Sequence, residues 1–229
     1  FNGADKRVFD YFEKRELDPN YFVVERFCPP LCRDESIETY NNLFGNTAQV
    51  HQLLRGAGLE DERKWLDGNF YSSAGGLDFE PGTDIFVNYS YANYAQWVYH
   101  EPSGRYTRYQ GVVDNLDGAS AKYDMHMDAY TGQALAAENV IILMVPHEFY
   151  LKSSDTEIFN MDMTGGGDAY LFRDGKMYPA RWFRFMEKRP LAIIDLDGRP
   201  LALKPGVTFF QVMNSTSEVN TLESTWVFN

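Results

Sequence analysis

Apolar and polar positions change rhythm along this chain. In the first third, apolar residues fall at helical spacing: Val8, Phe9, Phe12 and Leu17 predict one short helix, and Val50, Leu53 and Leu54 line one face of a second. Asn46-Thr47 supplies an N-cap for the second helix, and Gly56 and Gly58 stop it. Further on the pattern shortens to aromatic and β-branched runs. Ile85–Tyr89, Gln96–His100, Arg105–Tyr109, Val140–Val145, Ala169–Phe172, Ala192–Ile194 and Val207–Val212 read as strands. The turn dipeptides Ser103-Gly104, Asp117-Gly118, Thr131-Gly132, Asp174-Gly175 and Asp197-Gly198 separate them. Val140-Ile-Ile-Leu-Met-Val-Pro146 is an unbroken apolar run and suits a buried strand. No fixed period recurs, so neither a propeller nor a solenoid is predicted. The flexible stretch Tyr71-Ser-Ser-Ala-Gly-Gly76, followed by Pro81-Gly82, marks the seam. The expected fold is α+β: a partial, mostly helical N-terminal domain over residues 1–80, then a mainly antiparallel, β-rich C-terminal domain over residues 81–229.

The run Gly165-Gly166-Gly167 raises the question of a phosphate loop. Such a loop needs a Lys and a Ser or Thr after its last glycine, and a helix whose first amides face the phosphates. Here Asp168 follows, and a carboxylate there repels phosphate. The glycines instead predict a bulge or a tight backbone crossing. They introduce a hairpin with strands near Ala169–Phe172 and Met177–Phe183 that turns at Asp174-Gly175, with Pro179 at a bulge or on an edge.

Composition narrows the function. At 229 residues and 44% hydrophobic content the chain can bury a substantial core, and its net charge of −12 opposes binding to nucleic acid and anionic lipid. The longest apolar run falls far short of the roughly 20 residues that cross a bilayer. The sequence starts at Phe1 without an apolar leader, so any export signal or lipid attachment is expected to have been removed or to lie upstream. Cys28-Pro-Pro-Leu-Cys32 leaves three states open: a disulfide, free thiols, or half of a metal site. Metal is the weakest, because a zinc site takes about four ligands and His51, His100, His126 and His147 are scattered. In an exported protein the disulfide is favoured.

The ordered segments WVYHEPSGRYTRY, DAYTGQALAAENVIILMV, SSDTEIFNMDMTGGGDAYLFRDGKMYPARW and KPGVTFFQVM resemble the C-terminal domain of the YerB-like lipoproteins of bacteria. FCPPLCRDE and NNLFGNTAQVHQLLR are similar to the tail of that family's N-terminal domain, whose start has no counterpart here. The resemblance implies an exported, membrane-anchored protein of the cell envelope without established activity, and it brings no catalytic residues with it.

The strongest cluster for chemistry is Lys122-Tyr-Asp-Met-His-Met-Asp128. In a strand, Asp124, His126 and Asp128 share one face and Tyr123, Met125 and Met127 the other. Two carboxylates and an imidazole can hold a cation, or an Asp can orient the His as a general base. A polar solvent face over a Met-rich buried one explains the same alternation and is preferred. Asp114-Asn-Leu-Asp117-Gly118 and Asp195-Leu-Asp197-Gly198 echo calcium loops but do not complete an EF-hand, so they read as turns. Trp97, Tyr99, Tyr106, Tyr109 and Trp182 can form a sugar-stacking platform or fill a core. No G-x-S-x-G elbow occurs.

The expected function is therefore an exported cell-envelope binding or interaction module. Its expected ligand-binding residues are Asp124, His126, Asp128, Trp97 and Tyr99, and its expected disulfide joins Cys28 to Cys32. The alternative is an envelope hydrolase, metal-dependent or not, acting on glycan through Asp124, His126 and Asp128. No cofactor and no metal are expected. The expected partner is an envelope protein or glycan, with no nucleic acid and with membrane contact only through an upstream anchor; homo-oligomerisation stays open.

Overall fold

The computed structural model describes residues 6–14, 28–38, 42–58, 68–74, 79–152, 157–186 and 189–229. The chain divides into two compact units, Phe1–Trp65 and Leu66–Asn229. The first holds α1 (Lys6–Lys14), β1 (Leu31–Arg33), β2 (Leu43–Gly45) and α2 (Thr47–Gly56). Both predicted helices are present, and Leu17 lies outside the described residues. Asn46 caps α2, its Oδ1 accepting the Gln49 N–H at 3.1 Å. Val50, Leu53 and Leu54 are only partly buried. Between the helices β1 and β2 pair antiparallel, so the first unit carries a small sheet beside its two helices. Over the described residues the chain is mainly β.

Cys28 and Cys32 form a disulfide at the entry to β1, with S–S 2.06 Å. Intact-mass analysis is expected to find neither cysteine alkylated until reductant is added; alkylation of both without reductant would overturn the assignment. Reduction should cost less than the about 3 kcal/mol given by a fifteen-residue loop, since so short a closure removes less chain entropy.

The second unit begins with two short strands, β3 (Phe70–Tyr71) and β4 (Glu80–Pro81). The series β5 (Asp84–Ser90), β6 (Asn93–His100), β7 (Arg105–Gly111), β8 (Tyr123–Met125) and β9 (Ala136–Ala137) follows. Next come β10 (Asn139–Val145), β11 (His147–Lys152), β12 (Glu157–Met161), β13 (Gly165–Arg173) and β14 (Lys176–Arg184). The last are β15 (Ala192–Ile194), β16 (Ala202–Leu203), β17 (Thr208–Asn214), β18 (Val219–Leu222) and β19 (Thr225–Phe228). One sheet runs β15-β14-β13-β10-β17 with β4 beside β14; the other runs β18-β19-β5-β6-β7-β8 with β9 beside β7. Because β3 pairs with β16 and β4 with β14, the stretch read as a seam belongs to this unit, and the division falls ahead of it.

The two sheets pack face to face. Ile85, Val87, Trp97, Tyr106, Trp226 and Phe228 from one meet Val140, Ile142, Met144, Phe172 and Met213 from the other in one core cluster. Ile141, Leu143 and Val145 point to the opposite face, where Leu171, Tyr178, Trp182 and Leu203 cover them. Every residue of β10 is buried, which explains its unbroken apolar run. Its antiparallel neighbour is β13 and its parallel neighbour is β17.

The glycine run lies inside β13, paired residue by residue with β14 from Gly165↔Arg184 to Arg173↔Lys176. No helix starts at Asp168 and the register of β13 on β14 carries no bulge, so of the two structural expectations the close crossing is the one observed. The turn has φ +54° at Asp174 and +72° at Gly175, the type I′ signature that the dipeptide predicts. Pair types alternate from this turn, which directs the nitrogen of Pro179 away from β13. On that side β4 covers only Lys176 and Met177, and β15 only Arg181–Phe183, so Pro179 sits where no ladder bond is required.

Candidate functional site: a buried arginine between the sheets

In β7 the side chains alternate, and Tyr106 and Arg108 are buried while Arg105, Thr107 and Tyr109 are only partly so. Tyr106 donates from Oη to the Gly82 carbonyl at 2.8 Å. Arg108, 8% exposed, enters the space between the sheets. Its guanidinium carbon lies 5.9 Å from the Trp97 ring centroid and 5.6 Å from that of Phe209 on β17. One Nη donates to Nδ1 of His126; since an arginine can only donate, Nδ1 accepts and the ring is neutral. Tyr89 Oη donates to Gln211 Oε1 at 2.5 Å, and Gln211 is buried. Among the described residues no carboxylate pairs with Arg108. Burial pushes its pKa down, and Tyr89 acts in the opposite direction. Tyr89 is itself raised, chiefly by burial.

The sequence-predicted residues are not brought together. Asp124 is exposed opposite Gln110. His126 is half-buried against Arg108, not against a carboxylate. Asp128 closes a turn, with Oδ1 accepting the Thr131 N–H at 2.6 Å and the Thr131 hydroxyl at 2.7 Å, and these bonds hold its carboxyl below the usual range. Met125 and Met127 are both 46% exposed, so the expected Met-rich buried face is absent; Tyr123 alone turns to neighbouring rings, Phe86 and Tyr94. Among the described residues no three His, Cys, Asp or Glu side chains cluster as a metal site. Asp117 and Asp195 each accept backbone N–H groups of their own turns.

Trp97, Tyr106 and Trp182 are core residues, which removes them from the expected sugar platform. Tyr99 borders a cavity of about 460 Å³ with Phe79, Thr83, Glu101, Asp174 and Lys176. A second cavity, about 380 Å³, is lined by Tyr89, His147, Phe159, Met161, Met213 and Asn214 among others. Tyr89 therefore touches both sides, lining that cavity and bonding Gln211 through its hydroxyl. Sequence reasoning missed Arg108, although period-2 alternation put it on the same face as Tyr106.

Burial first, and then Arg108, hold the His126 pKa below 6.5. The unfolded chain therefore takes up this proton more readily. His126 supports the fold above its unfolded pKa, and that support is lost as pH falls through about 6.5. An NMR titration should place the midpoint of His126 below 6.5; a midpoint above it would indicate a carboxylate partner, as the hydrolase alternative requires.

These features define a two-sheet β domain with an unpaired buried cation beside a cavity. Residues 85–210, more than half of the chain, match the family described as the C-terminal domain of DUF3048, a protein of unknown function. The chain belongs to this family. The crystal structure of the YerB protein from Bacillus subtilis is similar, with a TM-score of 0.70 and 17% identity. The match covers 93% of this chain and 66% of that one, so this chain spans slightly less than two thirds of that structure's length. At this identity the likeness establishes the fold, in agreement with the YerB-like resemblance of the sequence. No curated protein matches the chain.

Proposed function

We propose that the chain is an extracytoplasmic binding module of the bacterial envelope. The observation that carries this reading is the cavity beside Tyr89, which at about 380 Å³ falls within the roughly 300–1,000 Å³ of small-molecule sites. Its lining suits recognition: Tyr89, Phe159 and Met161 supply apolar walls, and Asn88, Asn214 and Asn229 supply amides for orientation. The Cys28–Cys32 disulfide supports the compartment, because such bonds persist where the surroundings are oxidising. The hydrolase alternative gains no support from Asp124, His126 and Asp128, which face different partners.

Two measurements test the proposal. Protease added to intact cells should digest the protein, and complete protection would place it elsewhere. Soluble peptidoglycan fragments should raise the melting temperature in a concentration-dependent way, as mass action requires of a ligand of the native state. Phe159→Ala should weaken that response. No response to the fragments, or an equal one in the variant, would remove this cavity as the binding site.

A further inference from the structure

Arg108 is buried without a counter-charge, and three hydrogen-bond donors in its surroundings have no acceptor. Arg108 Nε, Trp97 Nε1 and Gln211 Nε2 are all buried and all unpartnered. They belong to one neighbourhood: Trp97 stands opposite Arg108 in the β6–β7 ladder, and its ring lies 4.8 Å from Phe209, two residues from Gln211 on the same face of β17. An isolated buried donor is costly, and a buried charge without a partner more so. Natural cores rarely tolerate either. Here they coincide, and they come from strands of both sheets.

We propose that this cluster binds the carboxylate of a small ligand, with Arg108 as its charge partner and Trp97 and Gln211 as further donors. The inference rests on the binding-module reading and specifies what the site recognises. A guanidinium presents a planar fork that matches the two oxygens of a carboxylate. The charge count favours one negative charge over two: among the described residues no second Lys or Arg acts on Arg108, and the chain as a whole carries −12. A phosphate dianion would leave a buried negative charge in place of the positive one. Apolar walls from Trp97 and Phe209 desolvate the pair and strengthen it. His126 keeps Nδ1 as an acceptor for Arg108, which holds the guanidinium without neutralising it. Tyr89, 40% exposed, is the outer wall, and beyond it the cavity offers room for the ligand's body.

The test uses acetate and phenylacetate as probes on the whole chain, with inorganic phosphate and chloride at matched ionic strength. Readouts are the melting temperature and the NMR signals of the Trp97 indole N–H and the Arg108 Nε–H. Both carboxylates should raise the melting temperature saturably and move both signals, phenylacetate at lower concentration, while chloride does neither. Arg108→Met removes an uncompensated charge and keeps an apolar stem, so its melting temperature without probe should equal or exceed that of the unaltered protein, and its carboxylate response should vanish. Arg108→Lys keeps the charge without the fork, and its midpoint should rise at least tenfold. The proposal is overturned by a missing response in the unaltered protein, by a response retained in Arg108→Met, by equal midpoints for lysine and arginine, or by phosphate matching acetate. If carboxylates fail while the peptidoglycan fragments still bind, the anion site is lost and the module stands; if both fail, the module reading falls with it.

Discussion

Gly167→Ala is expected to destabilise the second unit by about 3 kcal/mol, or roughly 6–12 °C in melting temperature for a unit of this size. The cause is the crossing at the glycine run. Gly167 pairs with Trp182, whose indole N–H passes over the glycine to donate to the Met144 carbonyl at 2.9 Å. A methyl group on Gly167 would stand 2.6 Å from Trp182 Nε1 and 2.7 Å from Met144 O, and neither can move freely within the core. The substitution therefore adds strain and breaks a buried hydrogen bond together. Thermal unfolding of the purified variant measures it; a melting temperature within about 2 °C of the original would mean that the crossing is not what requires glycine.

Arg173→Met is expected to cost about 3–5 kcal/mol, the usual loss when one partner of a buried ion pair is removed. Arg173 is 1% exposed and, unlike Arg108, fully engaged. Its Nε donates to Asp174 at 2.9 Å, and its Nη atoms donate to the carbonyls of Ser72, Ala202 and Ala74. Asp174 in turn pairs with Lys204 at 2.7 Å. Removing the guanidinium orphans those carbonyls and frees the 72–74 segment from the sheet. Denaturant unfolding should show a lower midpoint, and amide exchange should accelerate at Ser72–Ala74. Two buried arginines replaced by the same residue are thus expected to respond differently, because Arg173 has a carboxylate and carbonyls as acceptors while Arg108 has one imidazole and no counter-charge.

Local grammar made much of this fold legible. The apolar run of Val140–Val145 marked a buried strand, and Asp174-Gly175 marked the turn between β13 and β14. Three parallel pairings were not legible, β10 with β17, β16 with β3 and β19 with β5, because they join segments far apart in sequence. The hairpin of β18 and β19 escaped notice: Val219–Leu222 mixes polar residues into a short edge strand, and the turn uses Glu223 at φ +54° where glycine would have signalled it. The candidate site was the least legible part. Alternation grouped Asp124, His126 and Asp128 correctly as a pattern, but the strand ends at Met125 and Asp128 serves a turn. What gives His126 its environment is Arg108, eighteen residues earlier. A charged residue on an inward face was the available signal, and it lay in a strand chosen for its aromatics.

We propose that this two-sheet domain binds a ligand and does not turn it over. Incubating the protein with soluble peptidoglycan fragments, following the fragments' masses and the protein's melting temperature in the same sample, tests it most directly. Unchanged masses with a saturable rise in melting temperature are predicted. Cleaved fragments, formed by the unaltered protein and not by His126→Ala, would contradict it.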